Sequence, residues 1–182
     1  LEKAEGHPFF SEELAYALRD SGILRFADGH ASIAPGVDFK TLNLPDTVEG
    51  VVTSRIDLLT PGQQLAVKVA SVIGRVFGYR VLEDVHPVAT DRPKLADYLE
   101  RLQNLDLTPL ATPPPDLSYM FKHIITQEVA YNLLLFAQRR QLHQAVAEWY
   151  ERAFSKDLSP FYPVLAHHWL NASETAPNDE PT

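Results

Sequence analysis

The sequence predicts a mainly α-helical fold with two small β-hairpins, and three observations support this prediction. Apolar residues recur at helical spacing through most of the 182 residues. Capping signals built from Ser, Thr or Asp precede several of these apolar stripes. Two pairs of short apolar runs instead flank turn-forming segments, one Asp-Gly and one rich in proline. We therefore expect a helical bundle that is interrupted by two hairpins.

The first predicted segment, residues 1–43, contains one helix and one hairpin. The helical stripe consists of Phe10, Leu14 and Leu18. Gly22 follows this stripe and is typical of a helix C-terminus. Alternating apolar residues then flank Asp28-Gly29, a dipeptide that favours a tight hairpin turn. These residues are Leu24, Phe26, Ala31 and Ile33.

The second predicted segment, residues 44–135, opens with two capped helices. Asp46 and Glu49 have the spacing of a capping box. The stripe that follows is Val48, Val52, Ile56 and Leu59. Thr60-Pro61-Gly62-Gln63 repeats the capping signal, with proline at the first helical position. The stripe of this next helix is Leu65, Val69, Val72, Ile73 and Val76.

The rest of this segment predicts two more helices and a hairpin. A short helix at 80–85 stops before Pro87, and Asp91 is expected to cap a longer helix. The stripe of that helix is Leu95, Tyr98, Leu99, Leu102 and Leu105. Apolar runs at 107–111 and 117–121 are joined by a turn of three prolines and Asp116. This order, three helices followed by a hairpin, is typical of a winged-helix domain.

The C-terminal stretch predicts further short helices. One stripe consists of Ile125, Val129, Leu133 and Phe136, and a second of Leu142, Val146, Trp149 and Ala153. Ser159-Pro160 is expected to open a last helix that carries Leu165, Trp169 and Leu170. Antiparallel helices with aromatic anchors, at residues 136–170, resemble the start of a tetratricopeptide-like array. Residues 171–182 are predicted to form a disordered tail.

The composition of the chain argues against several classes of function. The net charge is −8, from 16 basic and 24 acidic residues, and no segment carries the basic stripe that binds a phosphate backbone. We therefore expect no nucleic-acid partner. No apolar run approaches the roughly 20 residues of a membrane span and no signal peptide opens the chain, so we expect a cytoplasmic protein without a membrane partner. The chain has no cysteine, which excludes thiol catalysis and disulfides.

Five segments, in this order, resemble signal-transducing ATPases with numerous domains (STAND ATPases). They are GHPFFSEEL from Gly6, LPDTVEGVVTSRIDLL from Leu44, AVKVASVIGRVF from Ala66, YMFKHIITQEVAYNLL from Tyr119, and RRQLHQAVAEWYE from Arg139. Bacterial members of this family often lie between an adenylate or guanylate cyclase domain and tetratricopeptide repeats. The resemblance implies a regulatory fragment of a longer polypeptide, which is also suggested by the start at Leu1. It implies the end of an ATPase helical subdomain (1–43), a winged helix (44–135) and the first repeat helices.

The resemblance also implies a nucleotide site that is complete only with the ATPase core. Gly6 and Pro8 match the Gly-x-Pro element whose proline packs against adenine, and His123 matches a histidine that reaches the terminal phosphate of ADP. The parent protein would bind ATP or ADP with magnesium. This chain has no G-x-x-x-x-G-K-[ST] loop, so we expect no enzyme activity from it alone and no cofactor within it. The implied partners are the upstream ATPase domain and a protein bound by the repeats.

Several alternatives stay open at this stage. His123 is equally compatible with a core or capping histidine, and Gly6 and Pro8 with an ordinary turn before a helix. The adjacent pair His167-His168 suggests metal binding, but neighbouring helical side chains diverge by about 100°, so we expect a structural role. The apolar surface around Phe9 and Phe10 could support a homodimer. A DNA-binding winged-helix regulator and a protein-interaction scaffold are the alternative functions.

Overall fold

The computed structural model describes residues 8–27, 30–35, 37 and 45–174. The described part of the chain is mainly helical, with 63% of it in helices and a few small strands. This confirms the mainly α-helical prediction. The chain divides into two compact units, residues 1–64 and 65–182. The predicted domain boundaries after residues 43 and 135 stay predictions.

The described residues form eight α-helices. They are α1 (Pro8–Asp20), α2 (Val48–Asp57), α3 (Pro61–Ile73), α4 (Tyr79–Val85), α5 (Leu95–Asn104), α6 (Ile124–Asn132), α7 (Phe136–Ala153) and α8 (Tyr162–Ser173). Short 3₁₀ turns at Arg92–Lys94 and Ser159–Phe161 lead into α5 and α8. Each of these turns contains a proline within its first two residues. Proline is tolerated there because an N–H group in the first turn would make no hydrogen bond within the helix.

Five short strands form two antiparallel sheets. They are β1 (Leu24–Ala27), β2 (His30–Ile33), β3 (Val76–Gly78), β4 (Leu110–Thr112) and β5 (Ser118–Met120). β1 pairs with β2 as the predicted hairpin, although its Asp28-Gly29 turn lies outside the described residues. The second sheet has the order β3-β5-β4, with Phe77 opposite Tyr119 and Leu110 also opposite Tyr119. The proline-rich hairpin is thus the β4–β5 half of a three-stranded sheet.

In the first unit, α1 packs on α2 through a small apolar cluster and a buried ion-pair network. Phe10 and Val51 form the centre of the cluster. The flanking residues are Leu14, Ala17 and Val48. Arg55 on α2 donates to Glu13 Oε2 at 2.6 Å and to Asp20 Oδ2 at 2.9 Å, and all three side chains are buried. The sequence signals did not predict this network, because the ion pairs join residues 35 and 42 positions apart.

In the second unit, the small sheet and the helices share one apolar core. Phe77 contacts Tyr119 and Phe121, with ring centroids 6.0 and 5.5 Å apart. Leucines from α4 and α5 complete the interior and are fully buried: Leu82, Leu95, Leu99 and Leu102. α7 and α8 pack antiparallel, since Arg140 reaches the carbonyl of Ala172 while Tyr150 contacts Phe161. This helix pair carries the site described below.

Some predicted boundaries were wrong. The stripe of α3 does not extend to Val76, because Gly74 takes a φ of +148° and turns the chain into β3. Phe136 opens α7 and does not belong to α6, which ends at Asn132. α8 continues through Ser173, so residues 171–173 of the predicted disordered tail are helical, and residues 175–182 lie outside the described part.

Two predicted caps and one predicted surface were also wrong. Thr47 caps α2, accepting from the Gly50 amide at 3.0 Å, where Asp46 was expected to do so. Asp91 caps no turn of α5, because the intervening 3₁₀ turn moves the start of that helix to Leu95. Phe10 is 5% exposed, because α2 covers it, so it offers no open apolar patch.

None of the described helices combines the length and the apolar character that are needed to cross a membrane.

Candidate functional site

The residues implied to contact a nucleotide base lie at the start of the described structure. Gly6 lies outside the described residues. Pro8 is the exposed first residue of α1, a position where its fixed φ favours helix initiation. The exposed ring of Pro8 is available for a contact. The base-contact role of this pair stays a prediction.

His123 occupies the N-cap position of α6, directly after β5 and residues 121–122. Its backbone is extended, with φ −124° and ψ 142°, and its carbonyl accepts from the Thr126 amide at 3.1 Å. The half-buried imidazole makes no capping hydrogen bond to the described first turn of the helix. The first-turn amides of α6 therefore give this end of the helix a partial positive charge, which favours anions. The His123 side chain therefore does not cap α6, and its role as a phosphate contact stays a prediction.

Three other histidines meet where α7 packs against α8. His143 lies on α7, and His167 and His168 lie on α8. One ring nitrogen from each of the three can be chosen so that all lie within 4.8 Å of one another. The ring centroids are 5.0 Å apart for His143 and His168, and 5.5 Å for His143 and His167. His143 and His168 are each 1% exposed, whereas His167 is exposed to solvent.

A hydrogen-bonded chain connects this histidine cluster to α6. The Tyr131 hydroxyl lies 3.0 Å from His143 Nε2, and His143 Nδ1 lies 2.8 Å from His168 Nδ1. The guanidinium of Arg139 stacks over the Tyr131 ring at 4.5 Å. Since a nitrogen pair at this distance needs one proton between its members, one of the two histidines donates from Nδ1 and the other accepts. Tyr131 can complete either arrangement, because a hydroxyl both donates and accepts.

Burial keeps the two inner histidines neutral. Desolvation lowers the pKa of His143 to about 4, with smaller contributions from His167 and Arg139. Desolvation, followed by the neighbouring His143 and His167, lowers the pKa of His168 to about 3. Both side chains therefore carry lone pairs and no charge at neutral pH. A neutral imidazole can accept a hydrogen bond or ligate a metal ion.

The histidine cluster borders a cavity of about 650 Å³. The lining comes from three helices and the residue after α3. These lining residues are Ser71 on α3, Gly74 just after α3, Gln127 and Tyr131 on α6, and Asn171 on α8. Gln127 also donates to the Ser71 carbonyl at 3.0 Å, which joins α6 to the end of α3. The wall is mainly apolar with polar groups near the histidines, a composition typical of small-ligand sites.

Only the His167-His168 half of this cluster is recognisable in the sequence. His167 and His168 diverge as expected, one towards solvent and one inwards, but His143 lies 25 positions before His168 and brings them into one group. The missed signal is the position of His143 between Leu142 and Val146 on α7, both of which are buried. A histidine next to such an apolar stripe is expected to face a packed neighbour.

Comparisons with protein families, with curated proteins and with solved structures find no match for this chain. The function is therefore argued from the residues and their geometry.

Proposed function

We propose that this chain is the regulatory part of an ATP/ADP-dependent switch of the STAND type, which couples an ATPase core to a helical repeat array. The observation that carries the proposal is the order of elements in residues 61–120. β3 lies between α3 and α4, α5 follows α4, and β4 and β5 then complete a sheet of order β3-β5-β4. The first strand pairs with the last strand of the hairpin, and this pairing supports the winged-helix part of the proposal.

The helices after the sheet support the second part of this proposal. α7 and α8 form an antiparallel pair with aromatic contacts at their connection, where Phe154 and Phe161 stack at 3.9 Å. Such a pair is the unit from which helical repeats are built. Trp149 on α7 donates to Asp84 on α4 at 2.7 Å, so a change in the proposed winged helix would be passed directly to the proposed first repeat.

In the proposed switch, His123 acts as a latch on ADP that is held by the ATPase core. Its location at the N-terminus of α6 supports this role, because that end of a helix favours an anion such as a phosphate. The ADP-bound state would hold the winged helix against the core, and exchange for ATP would release it. The chain itself would contribute contacts and no catalytic group.

A DNA-binding winged helix is the competing function, and the surface of α5 opposes it. The exposed charged residues of this helix are Asp97, Glu100 and Arg101. Two basic residues before α5 are already engaged: Lys94 lies 3.7 Å from Asp91, and Arg92 donates to the carbonyls of Asp84 and His86. A recognition helix in the major groove needs a basic surface. A gel-shift series at low salt is therefore expected to detect no tight binding.

The deciding experiment uses the complete gene product and measures how fast a fluorescent ADP analogue dissociates from it. Substituting His123→Ala should increase the dissociation rate by about tenfold, the effect of losing one hydrogen bond to a charged phosphate. His30→Ala is the matched control, because His30 is exposed on β2. Equal rates for wild type and His123→Ala would refute the latch, and a gene product without a phosphate-binding loop upstream of Leu1 would refute the switch.

A further inference from the structure

We propose that His143, His167 and His168 form a binding site for one divalent transition-metal ion, of the kind represented by Zn²⁺. This site is independent of the nucleotide switch, because it uses none of the residues assigned to that function. α7 and α8 carry all three ligands. An ion bound there would cross-link the two helices of the proposed first repeat.

The distances between the histidines are close to those of a metal site. Zn–N bonds of about 2.05 Å in a tetrahedral arrangement place two ligand nitrogens about 3.3 Å apart. One nitrogen from each histidine can be chosen so that the three lie within 4.8 Å of one another, and the Nδ1 atoms of His143 and His168 are 2.8 Å apart. Ligation therefore requires the inner pair to separate by about 0.5 Å and the exposed His167 to move inwards. A solvent-exposed side chain makes that movement by rotation of its own bonds.

The hydrogen bonds around the inner pair also suit ligation. If both Nδ1 atoms bind the ion, the proton now shared between them moves to a ring Nε2 and none is released. His143 Nε2 would then donate to the Tyr131 hydroxyl 3.0 Å away. An outer partner of this kind fixes the tautomer and the ring orientation of a metal-bound histidine. Tyr131 is thus a positioning residue in the proposed site.

The donor set determines the class of ion. Three imidazole nitrogens favour borderline ions such as Zn²⁺, Cu²⁺, Ni²⁺ and Co²⁺ over Ca²⁺ and Mg²⁺, which prefer oxygen ligands. Glu128 lies on the wall of the same cavity, so the cavity also contains a carboxylate. With three protein ligands, a fourth position remains for water or a small molecule from the cavity.

The test is a calorimetric titration of the complete 182-residue chain with ZnCl₂ near neutral pH. The protein must carry no histidine tag and must first be treated with EDTA. We expect one Zn²⁺ per chain with a Kd of about 10 µM or tighter. Co²⁺ in place of Zn²⁺ should produce a visible ligand-field absorption band that Zn²⁺ then removes by displacement.

Three variants separate a metal site from a purely structural hydrogen-bonded pair. His167→Ala removes the exposed ligand without disturbing the buried pair, and should weaken Zn²⁺ binding by at least about tenfold while the circular dichroism spectrum is unchanged. Tyr131→Phe should weaken binding by about tenfold with all three ligands present. His30→Ala, the matched control, should bind as the wild type does. No saturable binding by the wild type at about 100 µM Zn²⁺, or equal affinities of wild type and His167→Ala, would overturn the proposal.

Discussion

Replacing Arg55 by methionine would remove the cation that Glu13 and Asp20 share inside the first unit. The Arg55 side chain is 1% exposed, and its two carboxylate partners are 1% and 4% exposed. The Tyr16 ring covers the guanidinium at 4.9 Å. Methionine would fill part of the same volume without a charge. The variant would therefore leave two negative groups in a space that water does not reach.

The stability lost in the Arg55→Met variant depends on the balance between ion-pair attraction and desolvation. At an effective dielectric constant of about 20, each close pair contributes about 4 kcal/mol of attraction. Part of the lost attraction is offset, because methionine needs no desolvation and because Arg19 stays 3.0 Å from Asp20. Removing one partner of a buried ion pair costs about 3–5 kcal/mol in measured cases. We expect a decrease of this size in the stability of the α1–α2 pair.

The assay is hydrogen exchange of the complete chain, read by mass spectrometry on peptides from α1 and α2. A decrease of about 3–5 kcal/mol corresponds to exchange that is about 150-fold to 5,000-fold faster, up to full loss of protection. Arg25→Met is the matched control, because Arg25 is exposed on β1 in the same unit, and it should change protection little.

The double variant Glu13→Gln, Arg55→Met checks the electrostatic cause. It also removes the buried negative charge of Glu13, so it should regain a large part of the lost protection. The reasoning is wrong if Arg55→Met changes the opening free energy of both helices by less than about 1 kcal/mol. It is also wrong if the double variant is as unstable as the sum of its single changes.

Two further predictions concern pH and backbone packing. The unfolded chain protonates His143 and His168 near the ordinary pKa of 6.5, whereas their folded pKa values are about 4 and about 3. In EDTA, stability should therefore fall as the pH falls from 8 to 5, by about 2 kcal/mol for each histidine, and level off near the folded values. Urea unfolding monitored by tryptophan fluorescence measures this loss, and an unchanged midpoint at pH 5 would contradict it. Gly50→Ala should lower the melting temperature although alanine favours helices, because its Cβ would lie 2.9 Å from Pro45 Cβ and 3.2 Å from Thr47 Oγ1. A rise in melting temperature would show that the close approach is absent.

Local signals predicted the elements whose causes are local. Thr60 and Gln63 form the expected reciprocal capping pair at the start of α3, with 3.1 and 3.5 Å hydrogen bonds. α4 ends at Val85, before Pro87, as the restriction on residues that precede proline requires. The hairpin strands also lie on both sides of the proline-rich turn. These features depend on residues within a few positions of one another.

Elements that depend on distant partners were missed. Val76 continues the helical spacing after Ile73, but the pairing of β3 with the distant β5 makes this segment a strand. The apolar spacing similarly assigns Phe136 to the stripe of α6. α6 ends at Asn132 and α7 begins at Phe136, and this gap of three residues is close to one helical turn of 3.6 residues, so the apolar spacing continues across it. Periodicity by itself does not locate such breaks.

By itself, the sequence determined that this protein is mainly helical and where most of its helices lie. Tertiary structure alone decided which polar residues meet. Arg55 joins Glu13 and Asp20, and His143 joins His168, because helix packing brings together side chains that lie 25 to 42 positions apart. Burial then gives those contacts their chemistry, since removal of water strengthens ion pairs and keeps imidazoles neutral.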